Sequence, residues 1–108
     1  MKILLIAAAA TASLSLAQTK ETFTGVITDD MCGATGHAQM RMGPTDAECT
    51  VACVLAHGAR YALSDDSNIY ILSDQRTPEQ FAGQKVTVVG VLDAKTMTIT
   101  VESIAATN

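Results

Sequence analysis

Tryptophan is absent from this chain, and only two phenylalanines and two tyrosines stand among its 108 residues. That scarcity excludes a stacking platform for bases or sugars. Clustered positive charge is also missing: after Lys2 the cations stand singly at Lys20, Arg41, Arg60, Arg76, Lys85 and Lys95. The formal net charge is −4. Phosphate contacts need clustered Lys and Arg, so the sequence predicts no nucleic-acid partner and no basic membrane-surface patch. The acidity reads as solubility. No phosphate loop occurs, and Asp65-Asp66-Ser67-Asn68 lacks the spacing of a calcium loop. Neither C-x-x-C nor C-x-x-C-H is present, which argues against thioredoxin-like chemistry and attached haem. No apolar run is long enough to cross a bilayer as a helix.

What is there begins with a leader-like start, MKILLIAAAATASLSLAQ. Lys2 precedes a short apolar run from Ile3 to Ala10, and Ser15-Leu16-Ala17 fits the small-x-small cleavage rule. Residues 1–17 therefore read as a signal peptide with cleavage after Ala17, and residues 18–108 as one small domain. No cysteine follows the apolar run closely, so no stable membrane anchor is expected. The expected location is the periplasm or the medium, where disulfides form and persist.

The mature chain alternates in strand fashion over Thr22–Thr28, with Phe23, Gly25 and Ile27 on one face. Thr45-Asp46-Ala47-Glu48 reads as a capping box opening a helix that runs to about His57, with Gly58 as the stop. Around that helix, Val51, Ala52, Leu55 and Ala56 form the broad apolar surface, Asp46, Thr50 and His57 a polar stripe, and the cysteines the seam between them. Arg60–Ser64 and Ile69–Ser73 form a hairpin around Asp65–Asn68. Thr77 caps a short helical turn with Pro78 behind it. Gln84–Leu92 and Thr96–Ile104 form a second hairpin, Met97, Ile99 and Val101 sharing a face, and the tail from Ala105 frays. Five short, half-buried strands point to a mainly β domain closed as a small barrel, because an open sheet leaves its edges unpaired. Gly90, inside a regular strand, marks the bend that closure needs.

The stretch from Met31 to Cys53 gathers all three cysteines, together with His37, Met31, Met40 and Met42. Three readings stand open. In the first, Cys32, His37, Cys49, Cys53 and His57 supply a transition-metal site, spaced C-x4-H-x11-C-x3-C up to Cys53. Thiolate and imidazole suit zinc, and the thioethers of Met40 and Met42 tilt the set toward copper. In the second, Cys32 pairs with Cys49 or Cys53 as a structural disulfide. Such a bridge stabilises a loop of this length by roughly 3 kcal/mol. The third cysteine is then left for a partner chain, including a disulfide-linked dimer. In the third reading the thiols do redox chemistry. The plainer roles are set beside these: the methionines fill gaps, His37 is a solvated loop residue, and His57 is a cation favoured at a helix C-terminus. Asp29, Asp30, Asp65 and Asp66 read as turn residues and strand terminators rather than paired catalytic acids. No catalytic residue is assigned.

Four segments together resemble a known family: Gly25-Val26-Ile27-Thr28-Asp29-Asp30-Met31-Cys32-Gly33, Cys49-x-x-x-Cys53, Gly58–Leu63 and Gly83–Gly90. It is a family of small exported bacterial proteins of unknown function, frequent in soil acidobacteria. The resemblance implies an OB-like barrel and export. The Cys-bearing helix is then an insertion after strand 1, and the short helix lies between strands 3 and 4. The resemblance implies no activity.

Overall fold

A computed structural model describes residues 18–32 and 43–107. The expected leader at 1–17 lies outside these residues, as do His37, Met40 and Met42.

Among the described residues, five strands and two helical segments follow in the order β1 (Glu21–Asp29), α1 (Asp46–His57), β2 (Tyr61–Ser64), β3 (Ile69–Leu72), a 3-10 helix (Thr77–Phe81), β4 (Lys85–Asp93) and β5 (Thr98–Ala106). The sheet closes into a ring in the order β1-β2-β3-β5-β4 and back to β1. All pairings between these strands are antiparallel except β3 with β5. That parallel contact, Ile71 opposite Thr98 and Leu72 opposite Ile99, is the seam that completes the ring. Every strand therefore has two neighbours, which removes the exposed backbone edges of an open sheet.

Two devices bend this ring. Gly90 sits where the β4–β5 register shifts: Val89 faces Ser103, but Gly90 faces Val101. A side chain at Gly90 would run into the carbonyl oxygen of Thr100 and the Cγ2 of Ile99. The strands approach closely there because glycine permits it. The extra residue on β5 also changes the phase of the side chains. Ile99 and Val101 pack on the core, and after the shift Ile104 does so in place of Ser103. Met97, Ile99 and Val101 share the core face as the sequence predicts, and the alternation is interrupted only beyond Val101; Met97 itself sits in the turn before β5 with φ 53°. The strand also runs on to Ala106, paired with Val86, so the tail expected to fray from Ala105 is held in the sheet.

The ring's interior is filled by Ile27, Tyr61, Leu63, Tyr70, Leu72, Val86, Val88 and Ile99. Phe23 meets Tyr70 with ring centroids 5.4 Å apart and planes inclined by 58°, a favourable tilted geometry. Gln75 ties the start of β2 to the end of β3: its Oε1 accepts from Tyr61 N–H at 2.7 Å, and its Nε2 donates to the carbonyls of Tyr61 and Leu72.

Helix α1 begins as the sequence predicts. Thr45 is the N-cap and its hydroxyl accepts from Glu48 N–H at 3.2 Å. Glu48 reaches back to the Thr45 hydroxyl at 3.1 Å rather than to a backbone donor. Gly58 ends the helix at φ 69°, the left-handed cap that glycine adopts without a Cβ penalty. The 3-10 helix is capped differently from expectation. Thr77 is its first residue, and Asp74 Oδ1 accepts from the N–H groups of Arg76 and Thr77.

The orientation of α1 corrects the sequence reading. Cys49, Thr50 and Cys53 are its buried residues, while Leu55 is 73% exposed. The face expected to be apolar and packed is the more open one, and the cysteines lie fully inside rather than on a seam. The sulfurs of Cys49 and Cys53 meet Cys32 of the turn after β1, and the longer Leu55 is left outside.

Candidate functional site: a buried cluster of three thiols

Cys32 arrives from the turn that ends β1. Asp29 is completely buried, and its Oδ1 accepts from the backbone N–H of Met31 at 3.0 Å and of Cys32 at 2.9 Å. Its neighbour Asp30 points the other way. Asp30 N–H donates to Arg60 carbonyl at 3.0 Å, while its carboxylate accepts from Arg60 N–H at 2.8 Å and Arg60 Nε at 3.0 Å. The two adjacent carboxylates thus diverge, as expected of residues at a strand end. Together they fasten the turn from both sides and hold Cys32 inward. From the sequence Asp29 reads only as a turn residue and strand terminator. Its position between an alternating strand and a cysteine is the only trace of its role that the sequence carries.

Cys49 and Cys53 come from α1, one turn apart and on one face. With Ala59 they form a second small core beside the main one, and Val54 packs against both. Cys32 is 1% exposed, and Cys49 and Cys53 are 0%. The three sulfurs all lie within 4.8 Å of one another. Cys32 Sγ and Cys53 Sγ stand 3.7 Å apart. No disulfide is formed among them.

Of the residues proposed from sequence, the fold brings these three together. His57 stands at the exposed end of α1, outside the sulfur group, where the helix dipole favours a cation. Asp65 makes a local turn, its Oδ1 accepting from Ser67 N–H at 2.8 Å and Asn68 N–H at 2.7 Å, in keeping with a turn residue.

Burial raises the Cys32 thiol pKa, and the Asp29 carboxylate adds to the rise, against a lowering from the Cys53 contact. Cys53 is pushed up to about 12, first by burial, then by its contact with Cys32 and the charge of Asp29. Cys32 and Cys53 therefore hold their protons at neutral pH. A positive ion among the sulfurs would reverse that balance, since a coordinated thiol is deprotonated outright. A separate open groove of about 470 Å³ lies between α1 and the 3-10 helix, walled by Ala47, Val51, Ala52 and Ala82 with Glu48 and Glu79 at its rim. It offers apolar contact rather than soft ligand atoms.

No helix among the described residues is long and apolar enough to cross a membrane. Comparison with curated proteins and with solved structures gives no match. The sequence profile of a family described as a protein of unknown function (DUF5818) matches residues 53–107, which run from the last of the three cysteines through β5, and the chain belongs to that family.

Proposed function

We propose that this protein is an exported, OB-like small barrel that binds one soft d10 cation, Zn²⁺ or Cu⁺, through Cys32, Cys49 and Cys53. The observation that carries the reading is the spacing of the three buried sulfurs, all within 4.8 Å of one another. A cation bonded to three thiolates at about 2.3 Å needs sulfurs about 3.8–4.0 Å apart. Sulfurs as close as 3.7 Å and none beyond 4.8 Å reach that arrangement with small side-chain shifts. Sulfur-only donors select thiophilic metals over magnesium or calcium. The ring topology, with its single parallel β3–β5 pairing, supports the OB-like assignment.

A second reading, a structural module stapled by one disulfide, is favoured by the 3.7 Å approach of Cys32 to Cys53. One experiment separates the two. The mature protein is purified from the periplasm without chelator, and thiols and bound metal are counted on the same sample. Near-stoichiometric zinc or copper, with three thiols appearing only after chelation, is the expected result. Metal affinity should fall as pH drops, because protons compete for the thiolates. One thiol and no metal would replace the metal reading with the staple. Cys32→Ser should abolish metal uptake; retention of full uptake would remove Cys32 from the site.

A further inference from the structure

We propose that the metal site is gated by thiol–disulfide exchange: Cys32 and Cys53 close to a disulfide that expels the cation, and Cys49 stays reduced. The inference rests on the metal-binding reading and adds its regulation. Cys32 lies on the turn after β1 and Cys53 on α1, so their bond would join two different elements. Their sulfurs are 3.7 Å apart, and closing to the covalent distance of about 2.05 Å takes a shift shared between two side chains. Cys49 and Cys53 are less suited to one another, because both are fixed on one regular helix four residues apart, where side-chain directions fit a bridge poorly.

Cys32 is the entry point. Its neighbour Met31 is 42% exposed, and the turn carrying both is held by hydrogen bonds to Asp29 that local opening can break. The oxidant is a disulfide, R–S–S–R. The Cys32 thiolate attacks one of its sulfurs, and one R–S⁻ leaves. The Cys53 thiolate then attacks the Cys32 sulfur of the mixed disulfide, and the second R–S⁻ leaves. Two electrons pass from the cysteine sulfurs to the oxidant. In the metal-free protein the two leaving thiolates take up the protons that Cys32 and Cys53 lose; in the loaded protein both cysteines are already thiolates, so the charge of the two R–S⁻ is balanced by the released cation and any protons they take come from solvent. One thiol donor then remains of three, too few to hold a zinc or copper ion against water and competing thiols.

The full mature chain is reduced and loaded with Zn²⁺, or in a parallel sample Cu⁺, and titrated with oxidised glutathione. Free metal is followed by a chromophoric chelator, and the bridge is located by peptide mapping without reductant. The expected result is one linked pair containing Cys32 and Cys53, an alkylated Cys49, and metal release in step with the bridge. Cys49→Ser should still form the bridge, while Cys32→Ser and Cys53→Ser should not. A Cys32–Cys49 bridge, no bridge at all, or a bridge formed with metal retained would overturn the gating. Metal uptake by the reduced protein is read first. Failure there removes the metal reading and the gating together, whereas uptake followed by wrong pairing or retention removes the gating alone.

Discussion

Asp29 does at the residue scale what none of the cysteines does alone. It is a buried carboxylate that holds two backbone N–H groups and places a negative charge beside the thiols. Asp29→Asn keeps an acceptor oxygen and removes the charge, so the pH midpoint for alkylating Cys32 should move down. An unchanged midpoint in a rate-against-pH series would show that burial sets the thiol alone. Asp29→Ala removes both hydrogen bonds and should cost about 1–3 kcal/mol in urea denaturation. Gly90 carries a comparable burden in the sheet. Gly90→Ala sets a methyl against Thr100 and Ile99 and should cost about 1–3 kcal/mol by the same measurement, as overpacking does. A neutral result would mean that the register shift absorbs the methyl.

At the element scale the decisive feature is which way α1 faces. The hydrophobic count on its wheel favours Val51, Ala52, Leu55 and Ala56, yet the fold buries Cys49, Thr50 and Cys53. Leu55→Gln should therefore change stability by no more than about 0.5 kcal/mol, as exposed substitutions do. A loss of several times that would mean Leu55 is covered in solution. Thr45→Ala removes the N-cap acceptor that Glu48 N–H uses and should cost about 1 kcal/mol. Thermal denaturation of the two single variants side by side checks both expectations.

For the whole molecule, stability should form a plateau bounded on both sides by titration. Asp65 and Asp74 are held below the ordinary carboxylate range by the backbone N–H groups and side chains that hydrogen-bond them. Their contribution is complete above the unfolded carboxylate value of about 4 and is lost as pH falls through their lower folded values. The thiols of Cys32 and Cys53 and the phenols of Tyr61 and Tyr70 are all raised, chiefly by burial. Their contribution is complete below the unfolded thiol value of about 8.5 and drains away as pH rises toward about 12, where Cys53 ionises in the fold. Urea midpoints of the metal-free, reduced protein should fall above about pH 9. Cys53→Ala should lessen that fall, and an equally steep decline in this variant would assign it to other groups.

The strands, the capped helix and its glycine stop were legible in the sequence because each is set by local pattern: alternation in Thr22–Thr28, a threonine and glutamate three apart, a glycine free to take a left-handed turn. The chance that Cys32 meets the helix cysteines was legible as well, since a short connection limits how far they can separate. Beyond reach of local pattern were the phase change on β5, the inward turn of the cysteine face of α1 and the burial of Asp29. Each depends on contacts between segments far apart in the chain. A helix wheel ranks side chains by their affinity for water, but the shape of the space between α1 and the turn after β1 decides which of them fits it. By itself the sequence determined which elements form and which soft atoms are near enough to meet. Only the tertiary structure decided that three sulfurs converge in the interior, because that convergence depends on how α1 rotates against a turn fixed by Asp29 and Asp30.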